Sequence, residues 1–405
     1  MAHKKPNIFT YSTMHNIARL LSSTVFRNEK LRNELKDETG PCLVIANHES
    51  AMDPVNMLAA CSRPATFVLS NAYANTMPGI LQPTLHRMRP IVKQQFQTSI
   101  KDIKKMMSVV RSGGVLVIYP AGLMTEDGAS TPIPEATFKL VRKLGVNTYV
   151  AKSSGMYFVH PKWTSGIRKG RTTLDIYKLF DAEELEKLSD DELKTAISNA
   201  LAFDSYRDQE NAQIRYSSAD NIEGLENVLY QCPECREEFA VKAVSSDGSA
   251  VKNTLRCECC GYEQTADSFG MLHNRKGLGS EIRFPSDWSK GIFDRLKDEI
   301  KSRDYSIGCN VTIRKLDKSS HSFVEIGKGR LTLSREQLKL VSEDAGLEIE
   351  QKPQRFPILP FVPGKQIDIQ DGADVYRCFP DNPEIVMKFI NSIKAIYELG
   401  DGDNK

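Results

Sequence analysis

Residues 42–54, Cys-Leu-Val-Ile-Ala-Asn-His-Glu-Ser-Ala-Met-Asp-Pro, combine a buried-strand pattern with the start of a helix. The segment opens with four residues that favour a strand covered on both faces. Proline suits the first turn of a helix, and the residue before a proline avoids the helical region. We therefore expect Asp53 at the N-cap and Pro54 at the first helical position. A strand, a short loop and a helix in this order predict an α/β domain.

The alternation of strands and helices continues on both sides of this segment, from residue 41 to about residue 205. Apolar runs and apolar periodicity predict strands at 66–69, 115–119, 147–151 and 173–177, and helices at 54–61, 98–111, 134–144 and 189–201. Such an alternation indicates a mostly parallel sheet flanked by helices. Ligands of these sheets bind beyond the carboxyl ends of the strands, and Asn47 and His48 follow the first strand there.

An amphipathic helix is predicted within residues 1–40, with a start near Ser12 or Thr13. Packing against the following domain explains its apolar face, and so does docking on a membrane surface. The helix has too few basic residues to separate these two roles. The face is formed by Met14, Ile17, Ala18, Leu21 and Val25.

Length and composition describe an ordinary globular chain. The 405 residues predict two or three domains, and 40% hydrophobic with 26% charged residues excludes a disordered or collagen-like chain. The 54 basic and 52 acidic residues leave a net charge of +2, so nucleic acid is not expected as a partner. No apolar stretch reaches signal-peptide or membrane-spanning length, which predicts a cytoplasmic protein, with peripheral contact on the cytoplasmic membrane face left open. The oligomeric state stays undetermined.

Four cysteines within residues 229–266 form two knuckles of C-x2-C spacing, Cys232 with Cys235 and Cys257 with Cys260. Two such pairs supply the four thiolates of a structural zinc ion, which predicts a zinc-ribbon-like segment. Redox dithiols are the competing interpretation, but the surrounding βαβ pattern of a thioredoxin-like site is missing. A four-cysteine site has no open position, so no catalysis is expected there.

The remaining segments are a linker and a C-terminal module. Residues 206–228 lose the apolar period and gain polar residues, as a linker does. Residues 267–405 contain short strand candidates followed by a helix at about 383–399, which predicts a small, mainly β module, a barrel or roll, ending in a helix. The strand candidates are 309–313, 322–325, 329–333 and 347–351.

His48 and Asp53 have the properties of a general base and its partner. The predicted loop folds back, so that the carboxylate accepts a hydrogen bond from one imidazole nitrogen and the other nitrogen faces a hydroxyl group. A histidine with a pKa near 6.5 suits proton removal at neutral pH. The competing interpretation is that Asp53 only caps the helix and His48 is an ordinary loop residue.

Residues 10–200 resemble the glycerolipid acyltransferases, which include the lysophosphatidic acid acyltransferases. Asn47-His48 followed by Asp53 matches their first motif, and the segment 117–122 matches the strand-turn of the third. Residues 136–146 resemble the helix and turn that lead to the fourth motif, which is residues 148–151 here. The resemblance implies acyl transfer from acyl-CoA or acyl-carrier protein to a hydroxyl of a lysophospholipid or related lipid. It also implies that His48 is the base and Asp53 its partner. Substrate contacts are expected from Asn47, Lys93, Pro120 and Gly122.

The third motif departs from the family pattern at three positions. The usual glutamate, threonine and arginine are replaced by Ala121, Leu123 and Met124, which cannot donate to phosphate oxygens. Three interpretations follow: an acceptor without glycerol phosphate, phosphate binding through Lys93 and helix-start amides, or lost activity. We favour an active enzyme with an altered acceptor site. The alternative is a non-catalytic lipid-binding or scaffolding protein whose zinc ribbon binds a partner.

Overall fold

The computed structural model describes residues 3–93, 99–301 and 304–402. The chain divides into two compact units, residues 1–161 with 166–217 and residues 162–165 with 218–405. No helix in these described ranges has both the length and the apolar character needed to cross a bilayer.

A seven-stranded sheet forms the centre of the first unit, and its strand order is β1-β7-β6-β2-β5-β3-β4. Five of these strands, β2 to β6, run in the same direction, while β7 pairs antiparallel with β6 and β1 pairs parallel with β7. The predicted mostly parallel α/β sheet is therefore confirmed. The strands are β1 (Asn28–Asn33), β2 (Cys42–Ala46), β3 (Ala65–Ser70), β4 (Ile91–Lys93), β5 (Val115–Ile118), β6 (Asn147–Ser154) and β7 (Thr172–Phe180).

Ten helices of the first unit are described. Those over residues 53–60, 135–144 and 190–201 match predicted helices closely, and the predicted helix at 98–111 begins at Ile100, with Thr98 outside the described residues. The helices are α1 (Ile8–Thr24), α2 (Asp53–Ala60), α3 (Asn71–Thr76), α4 (Gln82–Met88), α5 (Ile100–Arg111), α6 (Glu135–Leu144), α7 (Met156–Val159), α8 (Ala182–Lys187), α9 (Asp190–Leu201) and α10 (Ser205–Ala212).

The core of this unit lies on both faces of the sheet, which explains the uninterrupted apolar run of β2. Leu43 and Ile45 belong to one buried cluster, with side chains of α5, α6 and α9. Val44 belongs to the cluster on the opposite face, with Met57 of α2 and Tyr11 of α1. Full burial of one such aliphatic side chain contributes about 1.5–3 kcal/mol. The sheet is thus held rigidly beneath the loop that follows β2.

The N-terminal segment 1–40 differs from its prediction because it contributes a strand as well as a helix. β1 pairs with β7 at the sheet edge. α1 begins at Ile8, several residues before the expected start, and Asn7 caps it by accepting a hydrogen bond from the Thr10 backbone. Its buried positions are Tyr11, Ala18 and Ser22, while Ile17 and Leu21 of the predicted apolar face are exposed.

The segment 206–228 differs from a linker in its first part. α10 covers residues 205–212 and belongs to the first unit, which extends to residue 217. Tyr206 is buried and makes edge contacts with the rings of Tyr157 and Phe158. The polar sequence hides this helix because Tyr206 is the one large aromatic side chain among its buried residues, Ser205, Tyr206 and Gln209.

The second unit contains two antiparallel sheets and two long helices. The four-stranded sheet has the order β11-β10-β9-β8 and extends past the predicted ribbon limit at residue 266. The seven-stranded sheet has the order β15-β14-β13-β12-β18-β17-β16. The elements are β8 (Val241–Val244), β9 (Thr254–Cys257), β10 (Glu263–Ala266), β11 (Leu272–His273), α11 (Pro285–Ile300), β12 (Ser306–Asp317), β13 (Ser322–Ser334), β14 (Leu338–Ser342), β15 (Leu347–Gln351), β16 (Phe361–Val362), β17 (Gln366–Asp371), β18 (Asp374–Pro380) and α12 (Val386–Gly402).

The C-terminal module is mainly β and ends in a helix, as expected, but its described strands form one open sheet instead of a barrel or roll. Helix α11 was not predicted. Its signal was present in the sequence, because Pro285 stands in the first turn and buried apolar residues recur every four positions. These residues are Trp288, Ile292, Leu296 and Ile300.

Candidate active site and metal centre

His48 lies in the loop that follows the carboxyl end of β2, the central position expected for a reactive group in a parallel sheet. Two contacts hold this loop. The His48 carbonyl accepts a hydrogen bond of 3.1 Å from the Thr125 backbone N–H. Its ring packs on the ring of Tyr119, with centroids 4.6 Å apart and an interplanar angle of 39°. Tyr119 directly follows β5, the neighbour of β2, so two adjacent strand ends build the site.

The predicted hydrogen bond between His48 and Asp53 is confirmed. Nδ1 of His48 lies 2.9 Å from Oδ2 of Asp53, and the same oxygen accepts the Ser50 backbone N–H at 2.8 Å. The Asp53 side chain is 2% exposed and that of His48 is 17% exposed. An ionised carboxylate only accepts hydrogen bonds, so Nδ1 carries the proton and Nε2 keeps its lone pair. Among the described residues, Nε2 has no hydrogen-bond partner and is thus available to a substrate hydroxyl.

Asp53 does not occupy the predicted N-cap position. α2 begins at Asp53 itself, and Met52 is the N-cap residue without a side-chain cap. The carboxylate turns back towards His48 and Ser50 instead of towards the amides of the first turn. The prediction was wrong because the loop hydrogen bonds compete successfully with capping.

Asn47 is buried and both ends of its side-chain amide are occupied. Nδ2 donates to the Ser153 carbonyl at 2.8 Å, and Oδ1 accepts the Ser153 backbone N–H at 2.7 Å. This pair of hydrogen bonds joins the end of β2 to β6. The geometry favours a positioning role for Asn47, while direct substrate contact stays a prediction.

Pro120 and Gly122 form the turn after β5, next to His48 along the sheet edge. The Gly122 N–H donates to the Tyr119 carbonyl at 3.0 Å. Gly122 has a φ of +73°, a conformation that favours glycine. The structure thus brings this turn beside the His48 loop, and its substrate contacts stay a prediction.

Lys93 ends β4, at the same edge of the sheet but three strands away from β2. At about 4.8 Å per strand, this separation is roughly 14 Å, so the structure does not place Lys93 beside His48. Burial lowers the pKa of Lys93, and the charge of Asp102 partly opposes this effect. Its role in binding phosphate stays a prediction.

Glu49, the residue after His48, is a site residue that was not predicted. Its side chain is fully buried and accepts hydrogen bonds from the Tyr157 backbone N–H at 3.1 Å and from the Ser205 hydroxyl at 3.2 Å. Burial raises the pKa of Glu49 to about 8, and the charge of Asp53 raises it as well. The raised pKa favours the neutral form of Glu49 in this buried position.

A chain of hydrogen bonds connects the His48 loop to the start of α10. Thr125 donates its backbone N–H to His48, and its hydroxyl accepts the Gly128 N–H at 3.0 Å. The Gly128 carbonyl accepts the Ser205 N–H at 2.8 Å, and Ser205 in turn donates to Glu49. The His48 loop, the loop after β5 and α10 are thus one connected structure, although no local pattern in the sequence predicts these contacts.

The four predicted cysteine ligands come together in the second unit. The Sγ atoms of Cys232, Cys235, Cys257 and Cys260 all lie within 4.8 Å of one another. The pairs Cys232 with Cys260 and Cys235 with Cys257 are each 3.7 Å apart. Four thiolates at about 2.3 Å from a central zinc ion lie about 3.8 Å apart, so the donor set and its spacing fit this metal. The cluster could hold a metal ion.

Comparisons with known proteins found acyltransferases among the proteins similar to this chain. Residues 23–153 match the protein-family model Acyltransferase. A 1-acyl-sn-glycerol-3-phosphate acyltransferase, the chloroplastic BAT2 of Brassica napus, is 24% identical over 159 residues, 37% of this chain and 44% of the relative. The aligned region thus spans less than half of the relative's length. PlsC, a 1-acyl-sn-glycerophosphate acyltransferase of Thermotoga maritima, has a similar solved structure, with 16% identity, a TM-score of 0.42, and coverage of 48% of this chain and 78% of that chain.

The expected resemblance to the glycerolipid acyltransferases is therefore confirmed, and the family model Acyltransferase matches residues 23–153. The matched segment contains β2, the His48 loop and the turn after β5. The partners of Glu49, Tyr157 and Ser205, lie beyond it, as do the four cysteines and the C-terminal sheet.

Proposed function

We propose, from the acyltransferase domain at residues 23–153, that the protein moves a fatty acyl group from an acyl thioester to a hydroxyl of a lysophospholipid or related lipid. The observation that carries this proposal is the 2.9 Å hydrogen bond between His48 and Asp53, within a segment matched by the family model. The thioester is that of acyl-CoA or acyl-carrier protein.

His48 acts as the general base in this reaction. As the acceptor oxygen attacks the thioester carbonyl, Nε2 removes the hydroxyl proton, and the Asp53 carboxylate stabilises the resulting imidazolium. The tetrahedral intermediate then collapses, the carbon–sulfur bond breaks, and the thiolate takes the proton from Nε2. An ester and a thiol are formed, and no covalent enzyme intermediate is required.

The acceptor site differs from that of the family at the third motif. Ala121, Leu123 and Met124 provide no guanidinium or carboxylate at the turn beside His48. Acceptor phosphate, where present, is bound through other groups, for example backbone amides at a helix start or Lys93. A lysophospholipid is the first acceptor to test, and a lipid alcohol without phosphate is the second.

The proposal is tested by incubating the purified full chain with a total lipid extract and one labelled donor, followed by mass spectrometry of the products. The donors are acyl-CoA and acyl-carrier protein loaded with an acyl group, each with the label on the acyl group. His48→Ala and Asp53→Asn each lower the rate, by about 10²–10⁴-fold for His48→Ala. His321→Asn is the control, because His321 lies in the second unit at φ +52°, which asparagine tolerates. Full activity of His48→Ala would refute the assignment.

A non-catalytic lipid-binding or scaffolding role is the second candidate, and the three departures in the third motif favour it. This role predicts measurable lipid binding by the full chain without transfer from any thioester. In that case the His48 and Asp53 variants bind lipid as the unchanged protein does.

The four cysteines are proposed to hold structural Zn²⁺. The segment around them has little core of its own, so the metal contributes folding energy. We also propose a cytoplasmic location with peripheral contact to the membrane. Phe9 and Leu20 of α1 support this contact, since both are more than 60% exposed although they are large and apolar.

A further inference from the structure

A cleft of about 780 Å³ lies in the first unit, between the N-terminal segment, α3, α4, β4 and α5. It is separate from the turn and the loop that carry His48. Among the described residues, its lining contains a group of cationic side chains and no carboxylate. The cations are Lys4, Arg89, Lys101, Lys104 and Lys105.

Three of these lysines lack a compensating charge. Lys105 pairs with Asp102 of the same helix at 3.1 Å. Lys4, Lys101 and Lys104 form no ion pair with any residue in the described part of the chain. Cations that converge on a concave surface repel one another, and an anion with several charges relieves this repulsion. The cleft therefore has the electrostatics of a polyanion site.

The wall of the cleft is held in place by specific contacts. Arg89 has a left-handed backbone, with φ +49°, and its guanidinium donates to the Lys5 carbonyl at 2.9 Å. Nε2 of His3 lies 2.9 Å from the Arg89 carbonyl, and the His3 N–H donates to the Ser108 hydroxyl at 2.8 Å. The N-terminal segment is thus bound to both α4 and α5.

Apolar side chains line the cleft together with the cations. Ala74, Leu85, Pro90 and Val92 contribute to this lining. Apolar side chains beside several cations suit a nucleotide, whose base packs on apolar groups and whose phosphates need positive charge. A flat bilayer fits a concave surface of this kind less well.

We propose that this cleft binds the nucleotide end of a coenzyme A thioester, the acyl donor. The inference rests on the proposed acyl transfer, because it identifies the donor of that reaction. Lys101 and Lys104 contact the phosphates, and Leu85 with Pro90 packs against the base.

The position of the cleft is compatible with transfer at His48. Val92 belongs to β4, α5 packs against this strand, and β4 lies roughly 14 Å from β2 across the sheet. The pantetheine arm has about 12 bonds from its phosphate ester oxygen to its sulfur, which span roughly 14 Å at the length per bond of an extended peptide chain. An extended arm is thus about as long as the separation of β4 from β2, the strand that leads into the His48 loop.

The test compares CoA binding by isothermal titration of the full chain with its double variant Lys101→Glu/Lys104→Glu. The double variant weakens CoA binding by at least about 10- to 100-fold, the effect of losing one hydrogen bond of about 1.5–3 kcal/mol between a lysine and a phosphate. Dephospho-CoA, which has one phosphate fewer, binds the unchanged protein more weakly than CoA. The matched control is Lys139→Glu/Lys143→Glu on α6, which makes the same change in net charge outside the cleft and leaves CoA binding unaltered.

Kinetics separate this inference from the proposed function. With acyl-CoA, the cleft variant raises the KM for the donor and leaves kcat and the KM for the acceptor nearly unchanged. Equal CoA affinity of the unchanged protein and the cleft variant overturns the donor site, even if transfer occurs. The donor site is also overturned if the cleft variant loses activity only with acyl-carrier protein as the donor, or if it loses only the binding of anionic vesicles. Absence of acyl transfer with every donor refutes the proposed function. The comparison of CoA affinity between the unchanged protein and the cleft variant then still tests whether the cleft binds CoA.

Discussion

Replacing Glu49 by glutamine removes a buried titrating group from the His48 loop and keeps the shape of the side chain. The glutamine carbonyl accepts the Tyr157 N–H, and its amide reaches the Ser205 hydroxyl, so both hydrogen bonds are retained. The expected change is therefore a change in how stability depends on pH. Glu183→Gln on the exposed face of α8 is the control.

The size of the effect follows from the raised pKa of Glu49, about 8 against an ordinary value of 4.5. Between these values the carboxyl is protonated in the folded protein and ionised in the unfolded chain. The folded state binds more protons there, so the free energy of unfolding falls as the pH rises. One pKa unit corresponds to about 1.4 kcal/mol, and the loss between pH 5 and pH 8 is roughly 3 kcal/mol. In Glu49→Gln the free energy of unfolding does not fall in this way between pH 5 and pH 8.

Hydrogen–deuterium exchange of peptides covering residues 42–60 measures the effect locally, since both tryptophans, Trp163 and Trp288, lie in the second unit. At each pH the opening free energy of Glu49→Gln is compared with that of the unchanged protein. The glutamine variant gains relative stability as the pH rises from 5 to 8, and Glu183→Gln does not. If the difference in opening free energy between Glu49→Gln and the unchanged protein stays constant from pH 5 to pH 8, Glu49 is not a buried neutral carboxyl in the folded protein.

Four further predictions address other parts of the molecule. Removal of zinc by a chelator, or Cys232→Ser, unfolds the ribbon and releases about one zinc per chain, as measured by metal analysis and circular dichroism; an unchanged spectrum and no bound metal contradict the structural zinc. Asn47→Ala leaves the Ser153 backbone groups unpaired and costs about 1–3 kcal/mol in thermal or urea unfolding, whereas a neutral effect removes its positioning role. Phe9→Glu weakens binding to lipid vesicles in flotation without changing the fold, and equal flotation argues against docking by α1. Gly170→Ala puts a methyl group 1.9 Å from the Tyr216 ring and lowers the melting temperature, while an unaltered melting temperature shows that the ring moves freely aside.

The local signals in the sequence were sufficient for the α/β sheet and for two sets of functional groups. The apolar run of β2 reflects burial on both faces, and the proline after Asp53 marks the start of α2 to within one residue. His48 and Asp53 stand five residues apart on one loop, so their contact depends on a short piece of chain. The C-x2-C pairs are similarly local, because each knuckle places two thiols in one turn.

Such local signals did not predict the contacts between distant parts of the chain. β1 joins the sheet next to β7, and the paired residues Asn28 and Thr172 are 144 positions apart in the chain. The polar sequence of β1 gives no strand pattern. The Ser205 hydroxyl reaches Glu49 from 156 residues away. Neither spacing nor periodicity encodes a pairing at this distance, because both describe only neighbours along one element.

What the sequence alone determined was therefore the chemistry that is local: a histidine and a carboxylate after a buried strand, and four thiols in two turns. The tertiary structure decided which groups share the environment of that chemistry. It buries Glu49 beside the His48 loop, ties Asn47 to Ser153, and sets Lys93 three strands away. The order of strands in the sheet is the physical reason, since distance across a sheet depends on strand neighbours and not on position in the chain.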